Sequence, residues 1–278
     1  KVDYSTRYSR TDYDRPSILW NDFYNNVLRR CRPVRPLKDP NGYYMSDINY
    51  IEALQNGGRQ NEINDGLSQQ VRITITPLKN WNIIGELNIK TDNNWTHYEH
   101  KRVYSHMAND PEKTYVATMT GPSEDKVYEY AYKSLFLNPN VYTNYDITLG
   151  QHTIAATAGM QIERQKYRDV SAQRADMIST DLPVLNLTTS SQSYGISGVV
   201  QEWASAGFFG RINYDYAGRY LVEGNLRYDG SSRFRRGNRW ILTPSFSLGW
   251  NIAREAFFES LAEKISTLKL RVSYGTLA

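Results

Sequence analysis

His97, Glu99, His100 and, a little further on, His106 are of the types that ligate zinc, and three of them fall within the single stretch HYEH. Their spacing matches no standard zinc motif, however, and the segment is where a strand runs into a long polar loop. It reads as solvated loop, and no metal ligand is assigned. LTTSSQSYG has serines but lacks the G-x-S-x-G elbow of a hydrolase nucleophile. Neither a Walker A nor a G-x-G-x-x-G phosphate loop is present. DPNGYY and NDPEKTY resemble turns, since the D-x-[DN]-x-[DN]-G spacing of a calcium loop is missing. Glu124 and Asp125 read as loop charge. No catalytic, cofactor-binding or metal-binding residue emerges, so the expectation is that the chain is not an enzyme and needs no cofactor.

Arginine is the other conspicuous chemistry. RYDGSSRFRRGNRW, Arg227 to Trp240, gathers Arg233, Arg235, Arg236 and Arg239 among small turn residues. A nucleic-acid binder would spread such residues over an ordered basic surface, whereas the net charge here is only +4, from 33 basic and 29 acidic side chains. These arginines occupy one connection between two amphipathic strands, and rim charge beside acidic lipopolysaccharide or a protein partner explains them better. The lone Cys31 excludes an internal disulfide and any CxxC site.

What must position these residues is a set of strands. Period-two alternation recurs along most of the chain. Trp81, Ile83, Gly85, Leu87 and Ile89 oppose Asn82, Glu86, Asn88 and Lys90, with Ile84 the exception. Tyr220, Val222, Gly224, Leu226 and Tyr228 oppose Glu223, Asn225, Arg227 and Asp229. Val71, Ile73 and Ile75 oppose Arg72, Thr74 and Thr76; Phe208, Ile212, Tyr214 and Tyr216 oppose Arg211, Asn213 and Asp215. Trp240, Leu242, Phe246, Leu248, Trp250 and Ile252 oppose Thr243, Ser245, Ser247 and Asn251. The pattern predicts about nine strands, over 1–9, 67–77, 81–96, 126–149, 152–168, 197–216, 219–231, 239–253 and 267–277.

Connections alternate between tight turns (PLKN, GQH, AGR) and longer segments over 10–66, 97–125, 169–196 and 232–238. In the hairpin between Tyr228 and Trp240, Asp229, Gly230 and Ser231 are expected to turn the chain after the strand. Short turns on one side and long connections on the other mark an outer-membrane barrel, with aromatics at the strand ends serving as interface anchors. The 22 tyrosines against 8 phenylalanines and a mean hydropathy of -0.62 suit strands with one wet face. No run approaches the roughly 20 apolar residues of a spanning helix. Helical spacing is confined to Ser17–Cys31 and to Arg254–Ser266, the latter between the last two strands on the short-turn side. The opening KVDYSTRYSR has no initiator Met or signal peptide, and with the closing RVSYGTLA it reads as a piece of a longer chain.

From GRINYDY onward the residues resemble the SusC/RagA family of TonB-dependent outer-membrane transporters. The likeness is carried by Arg-x-Asp-Gly-Ser-Ser-Arg-Phe at Arg227–Phe234, followed by Asn-Arg-Trp, Pro-Ser-x-Ser-Leu-Gly-Trp, Glu-x-Phe-Phe and Leu-Lys-Leu-Arg-x-Ser-Tyr-Gly. RPVRPLKDPNGYY and NYDITLGQHTIAATAGMQIE resemble further family segments.

The resemblance implies an all-β fold: an antiparallel transmembrane β-barrel, here about nine strands of a roughly 22-stranded, plugged barrel. Residues 1–278 would be part of its barrel domain, with the plug and terminal strands absent from this sequence. It implies a bacterial outer-membrane importer of glycans, or of peptides. The partners it implies are TonB, a SusD-like surface lipoprotein and outer-membrane lipid, with no nucleic acid and with pairing of two transporter–lipoprotein units. No motif picks out a substrate-binding residue. Glu86, Lys90, Arg211, Asp215, Glu223 and Arg227 are expected to face the lumen. The alternatives are a passive porin-like barrel and a soluble β-rich glycan-binding module.

Overall fold

A β-strand places successive side chains on opposite faces, so the two-residue pattern above dictates a sheet with one apolar and one polar side. The computed structural model describes residues 1–17, 24, 38–43, 50–107, 110–116, 124–190, 194–262 and 264–276. In it β1 (Val2–Pro16), β2 (Arg59–Leu78), β3 (Trp81–His100), β6 (Lys126–Leu149), β7 (His152–Ala175), β8 (Tyr194–Tyr216), β9 (Tyr220–Ser231), β10 (Trp240–Asn251) and β11 (Lys269–Gly275) form one nine-stranded sheet. Each strand pairs antiparallel with the next in that order. A separate hairpin, β4 (Tyr104–Met107) and β5 (Asp110–Val116), sits in the long connection between β3 and β6.

All nine predicted strands are present, several of them longer than the alternation foretold. Where the sequence suggested a turn, Asp110–Val116 is a strand. DPNGYY does turn, with Asp39 Oδ1 accepting from the backbone N–H of Asn41 and of Tyr43, both at 2.9 Å. A short helix at Tyr50–Asn56 lies inside the first long connection, at residues for which the sequence predicted no element. The Ser17–Cys31 helix falls outside the described residues, apart from Ser17 and Tyr24. Arg254–Ser266 is not one helix: 3-10 turns at Ile252–Arg254 and Ala256–Phe258 precede a short α-helix at Glu259–Ala262. The break falls at Glu255, which is extended at φ -82, ψ 145. Strand β9 runs on through Asp229 and Gly230 to Ser231, so the chain turns later than expected.

Register keeps the two faces separate across the sheet. Val2, Ile73, Gly85, Val141, Met160, Phe208, Tyr228 and Leu242 lie opposite one another in one row over eight strands. This face is open: Leu226 is 48% exposed, Phe246 50% and Leu248 51%. Among the described residues the buried apolar set is only Ala53, Ile84, Val103, Val127, Ala175 and Phe258. The chain exposes 18649 Å², where a compact soluble protein of this mass exposes about 12,000 Å². A soluble sandwich would cover such a face with a second sheet, so the soluble-module alternative does not describe this molecule. Ile84, the exception to the alternation, is on the polar face opposite Thr74 and Tyr142 and is 7% exposed.

The turns at one end are as short as the sequence required. They use left-handed backbone at Asn80, Gly150, Ala217 and Gly218, as hairpin loops of two or three residues do. Pro139 interrupts the centre of β6 without a backbone donor, and the Asn138 amide donates instead to Ile162 O at 3.0 Å, across the strand pair.

Placing lysine at Leu226 or Leu248 in the full-length barrel should cost about 2 to 4 kcal/mol of folding stability in lipid, falling towards zero at the band's margins. Lysine at Ser245, half-exposed on the opposite face, should cost far less. Denaturant titration in liposomes checks both, and equal penalties on the two faces would refute the assignment of sides.

Candidate functional site

The polar face carries the groups able to meet a solute. In its lower half, towards the short turns, charges are tied to neighbours. Arg72 Nε donates to Glu86 Oε1 at 2.6 Å, and Tyr142 donates to the same oxygen at 3.1 Å. Arg211 Nε donates to Asn225 Oδ1 at 2.6 Å, and the Asn225 amide donates to Glu223 Oε1 at 2.8 Å. Arg227 grips Asp229 with two hydrogen bonds of 3.0 and 2.9 Å. A Cβ at Gly207 would lie 2.2 Å from Asp229 Oδ1, so any larger residue there would have to displace the carboxylate. Every residue expected to face the lumen is therefore on this side, with Lys90 paired to Asp92 at 3.0 Å.

Above these pairs the face turns aromatic. Tyr128, Tyr130 and Tyr132 alternate along β6, flanked by Tyr98 on β3 and Tyr167 on β7. Ring centroids run Tyr98–Tyr128 at 4.5 Å, Tyr128–Tyr130 at 6.5 Å, Tyr130–Tyr132 at 6.1 Å and Tyr132–Tyr167 at 5.5 Å. The Tyr130 and Tyr167 hydroxyls are 2.8 Å apart, and this hydrogen bond, with partial burial and Asp169, holds the Tyr167 phenol well above its ordinary pKa. Phe136 and Trp203 continue the surface below, 6.4 Å apart. Trp203 Nε1 donates to Gln165 Oε1 at 3.0 Å, and the Arg233 guanidinium lies 4.9 Å over its ring. By register, Tyr132 sits between Asn94 and Asp169, and Tyr130 between Thr96 and Ser171. The result is a strip of ring faces edged by amides, hydroxyls and a carboxylate. Alternate tyrosines in KVYEYAYKS were the sequence signal for this strip, and the sequence reading passed over it.

The histidines do not converge. His97 and His100 are on opposite faces of β3: His97 Nδ1 meets Glu129 Oε1 at 2.6 Å, while the His100 ring lies 5.0 Å from that of Tyr98. His106 stacks on Tyr43 at 4.1 Å, and Glu99 pairs with Lys101 at 3.1 Å. Asp125 accepts from the Arg102 backbone at 2.6 Å. Of the four arginines in the β9–β10 connection, Arg233 turns over Trp203, and Arg239 Nε donates to Phe234 O at 3.1 Å.

The apolar face is bounded by aromatic margins. Trp81, Tyr145, Tyr216, Tyr220 and Trp250 lie towards the short turns; Phe208, Tyr228 and Trp240 lie at the other end, where Tyr228 and Trp240 stack at 4.8 Å. On β9 the two margins, Tyr220 and Tyr228, are eight residues apart, about the length a tilted strand needs to cross a bilayer's hydrocarbon. The molecule is a segment of transmembrane β-barrel wall.

The chain belongs to the TonB-dependent receptor-like β-barrel family, whose model matches residues 2–277. It is 47% identical to the TonB-dependent receptor SusC of Bacteroides thetaiotaomicron over 68 residues, 24% of this chain and 7% of SusC. A TonB-dependent receptor of Formosa agariphila is 37% identical over 147 residues, 50% of this chain and 13% of that protein. Among solved structures, the RagAB peptide transporter superposes with TM-score 0.73 at 18% identity, over 99% of this chain and 31% of its own. The RagAB peptide importer in its 'open-open' state gives 0.76 at 17% identity, over 99% and 30%. The chain thus spans 13% or less of these two curated relatives.

Burial, and secondarily Lys126, lower the His100 pKa to about 4. Its folded value lies below the unfolded one near 6.5, so the unfolded state takes up the proton first. Stability is intact above pH 6.5 and should fall by on the order of 1 to 2 kcal/mol as pH drops towards 4, allowing for the ring's remaining exposure. His100→Gln should flatten that part of the pH–stability curve; an unchanged curve would discount the histidine.

Proposed function

We propose that this chain is part of the barrel of a bacterial outer-membrane importer that takes up glycans or oligosaccharides, is energised through TonB, and works with a SusD-like surface lipoprotein. The observation carrying the substrate class is the aromatic strip from Tyr98 to Tyr167. Ring faces stack on the apolar face of a pyranose, while Asp169 and Ser171 beside them offer hydrogen-bonding groups to its hydroxyls. Charges lower on the same face are already paired, so a neutral solute passes without competing for them.

The outer edges of β1 and β11 are unpaired in the nine-stranded sheet, and hydrocarbon tolerates no open edge. In this reading the remaining strands of the full-length protein close the barrel, and its plug carries the TonB contact. None of the residues present here is assigned to energy coupling. The family likeness supports the TonB and lipoprotein parts of the reading, and the ring strip supports the sugar.

Uptake by the full-length transporter tests it. Tyr128→Ala combined with Tyr132→Ala should weaken apparent glycan affinity about tenfold, two ring contacts at roughly 0.7 kcal/mol each. Glycan uptake should also cease when TonB is depleted. Undiminished uptake in the double variant removes the strip from the substrate path; transport of peptides alone replaces the substrate class, and uptake persisting without TonB removes the energised mechanism.

A further inference from the structure

The outward face of β7 changes character abruptly. Its alternate residues run Ile154, Ala156, Ala158, Met160, Ile162 and then Arg164, Lys166 and Arg168. Register places Lys133 of β6 and Val200 of β8 beside Arg168, and Leu135 and Glu202 beside Lys166. Over these rows four cations face one carboxylate. Glu202 is committed to Arg164, whose Nε donates to it at 2.7 Å, and lies 3.8 Å from Lys166. Lys133 and Arg168 are directly opposite each other, a like-charge pairing that destabilises a sheet. Both are exposed, and neither side chain has an ion-pair or hydrogen-bond partner among the described residues. Leu135 and Val200 line the shallow groove between the two cations and Glu202.

An unpartnered cation pair set above a lipid-facing apolar band, next to Leu135 and Leu137 on β6 and beyond Arg164 and Lys166 on β7, matches a ligand that carries phosphate over its acyl chains. We propose that Lys133 and Arg168 form a binding site for the phosphorylated glycolipid of the outer leaflet. Its phosphate bridges the two cations, and its acyl chains run down the face past Leu135 and Ile162. The site is separate from the arginines of the β9–β10 connection, one of which turns over Trp203. It rests on the outer-membrane placement proposed above, but not on the substrate class.

The test uses the full-length transporter, purified and delipidated, with lipid A, phosphatidylglycerol and inorganic phosphate titrated separately and occupancy read by native mass spectrometry. Lipid A should bind most tightly, and Lys133→Gln with Arg168→Gln should lower its affinity by about 25-fold, two surface cations at roughly fivefold each. Glycan uptake by that variant should stay at the parent level, so a defect in substrate handling is read apart from a defect in lipid binding. Should the double variant fail to assemble, Lys133→Gln alone should give about the fivefold loss. Unchanged lipid A affinity overturns the site; inorganic phosphate binding as tightly makes it a free-anion site, and phosphatidylglycerol binding as tightly makes it a generic anionic-lipid surface, and either overturns the assignment.

Discussion

A backbone crossing hydrocarbon has no water to satisfy its N–H and C=O groups, so each strand depends on its neighbours for its hydrogen bonds. Strict antiparallel pairing from β1 to β11 follows from that requirement. So do the tight turns with left-handed Asn80, Gly150 and Gly218, which return the chain with little unpaired backbone. Pro139 illustrates the same demand where the ladder lacks a donor: the Asn138 side chain supplies one to Ile162 O. Because pairing fixes the register, it also fixes which residues meet lipid, since a slip of one residue would turn every side chain to the wrong face.

With the backbone committed to its neighbours, function is left to the side chains, and the two faces have different tasks. On the polar face Arg72–Glu86, Arg211–Asn225–Glu223 and Arg227–Asp229 hold their charges within or between adjacent strands. Pairing neutralises the face locally without removing its hydrogen-bonding capacity. The short-turn end is fastened similarly. Glu255 accepts from Trp250 Nε1 at 2.9 Å and from Arg219 at 3.4 Å, and hydrogen bonding, from Tyr220 first, lowers its pKa. That clasp ties the turn after β8 to the helical connection after β10.

Sequence alternation located the nine strands and assigned Glu86, Lys90, Arg211, Asp215, Glu223 and Arg227 to the correct face, because lipid imposes an apolar–polar contrast that composition cannot hide. It lost the strands where lipid stops. Strand β1 was expected to end near residue 9 and runs to Pro16; β2 begins at Arg59 rather than 67, and β7 continues to Ala175 rather than 168. In those extensions both faces are polar or aromatic, as in ERQKYRDVSAQRA, and the period-two signal fades although pairing continues. The aromatic strip was legible only in part for a related reason: KVYEYAYKS carries its alternate tyrosines, but tyrosine is a common strand residue, and only register brings Tyr98, Tyr128 and Tyr167 together from three strands. Arg254–Ser266 read as one helix because its apolar spacing suits a helix, whereas Glu255 leaves helical geometry to meet Trp250 and Arg219.

Strand length therefore sorts structure from specialised chemistry. About nine to eleven residues cross the bilayer, which accounts for nearly all of β9 and β10 at 12 residues each. It accounts for less than half of β6 and β7 at 24 residues each and β8 at 23. The excess rises beyond the lipid as a tall part of the wall, released from the requirement that one face be apolar. Both specialised features lie on that excess: the tyrosines on its inner side and Lys133, Arg164, Lys166 and Arg168 on its outer side. Within the band, substitution is limited by the cost of charge in hydrocarbon. Above it the same paired backbone supports any side chain, so the tall strands of this wall can carry groups that the lipid-facing band cannot.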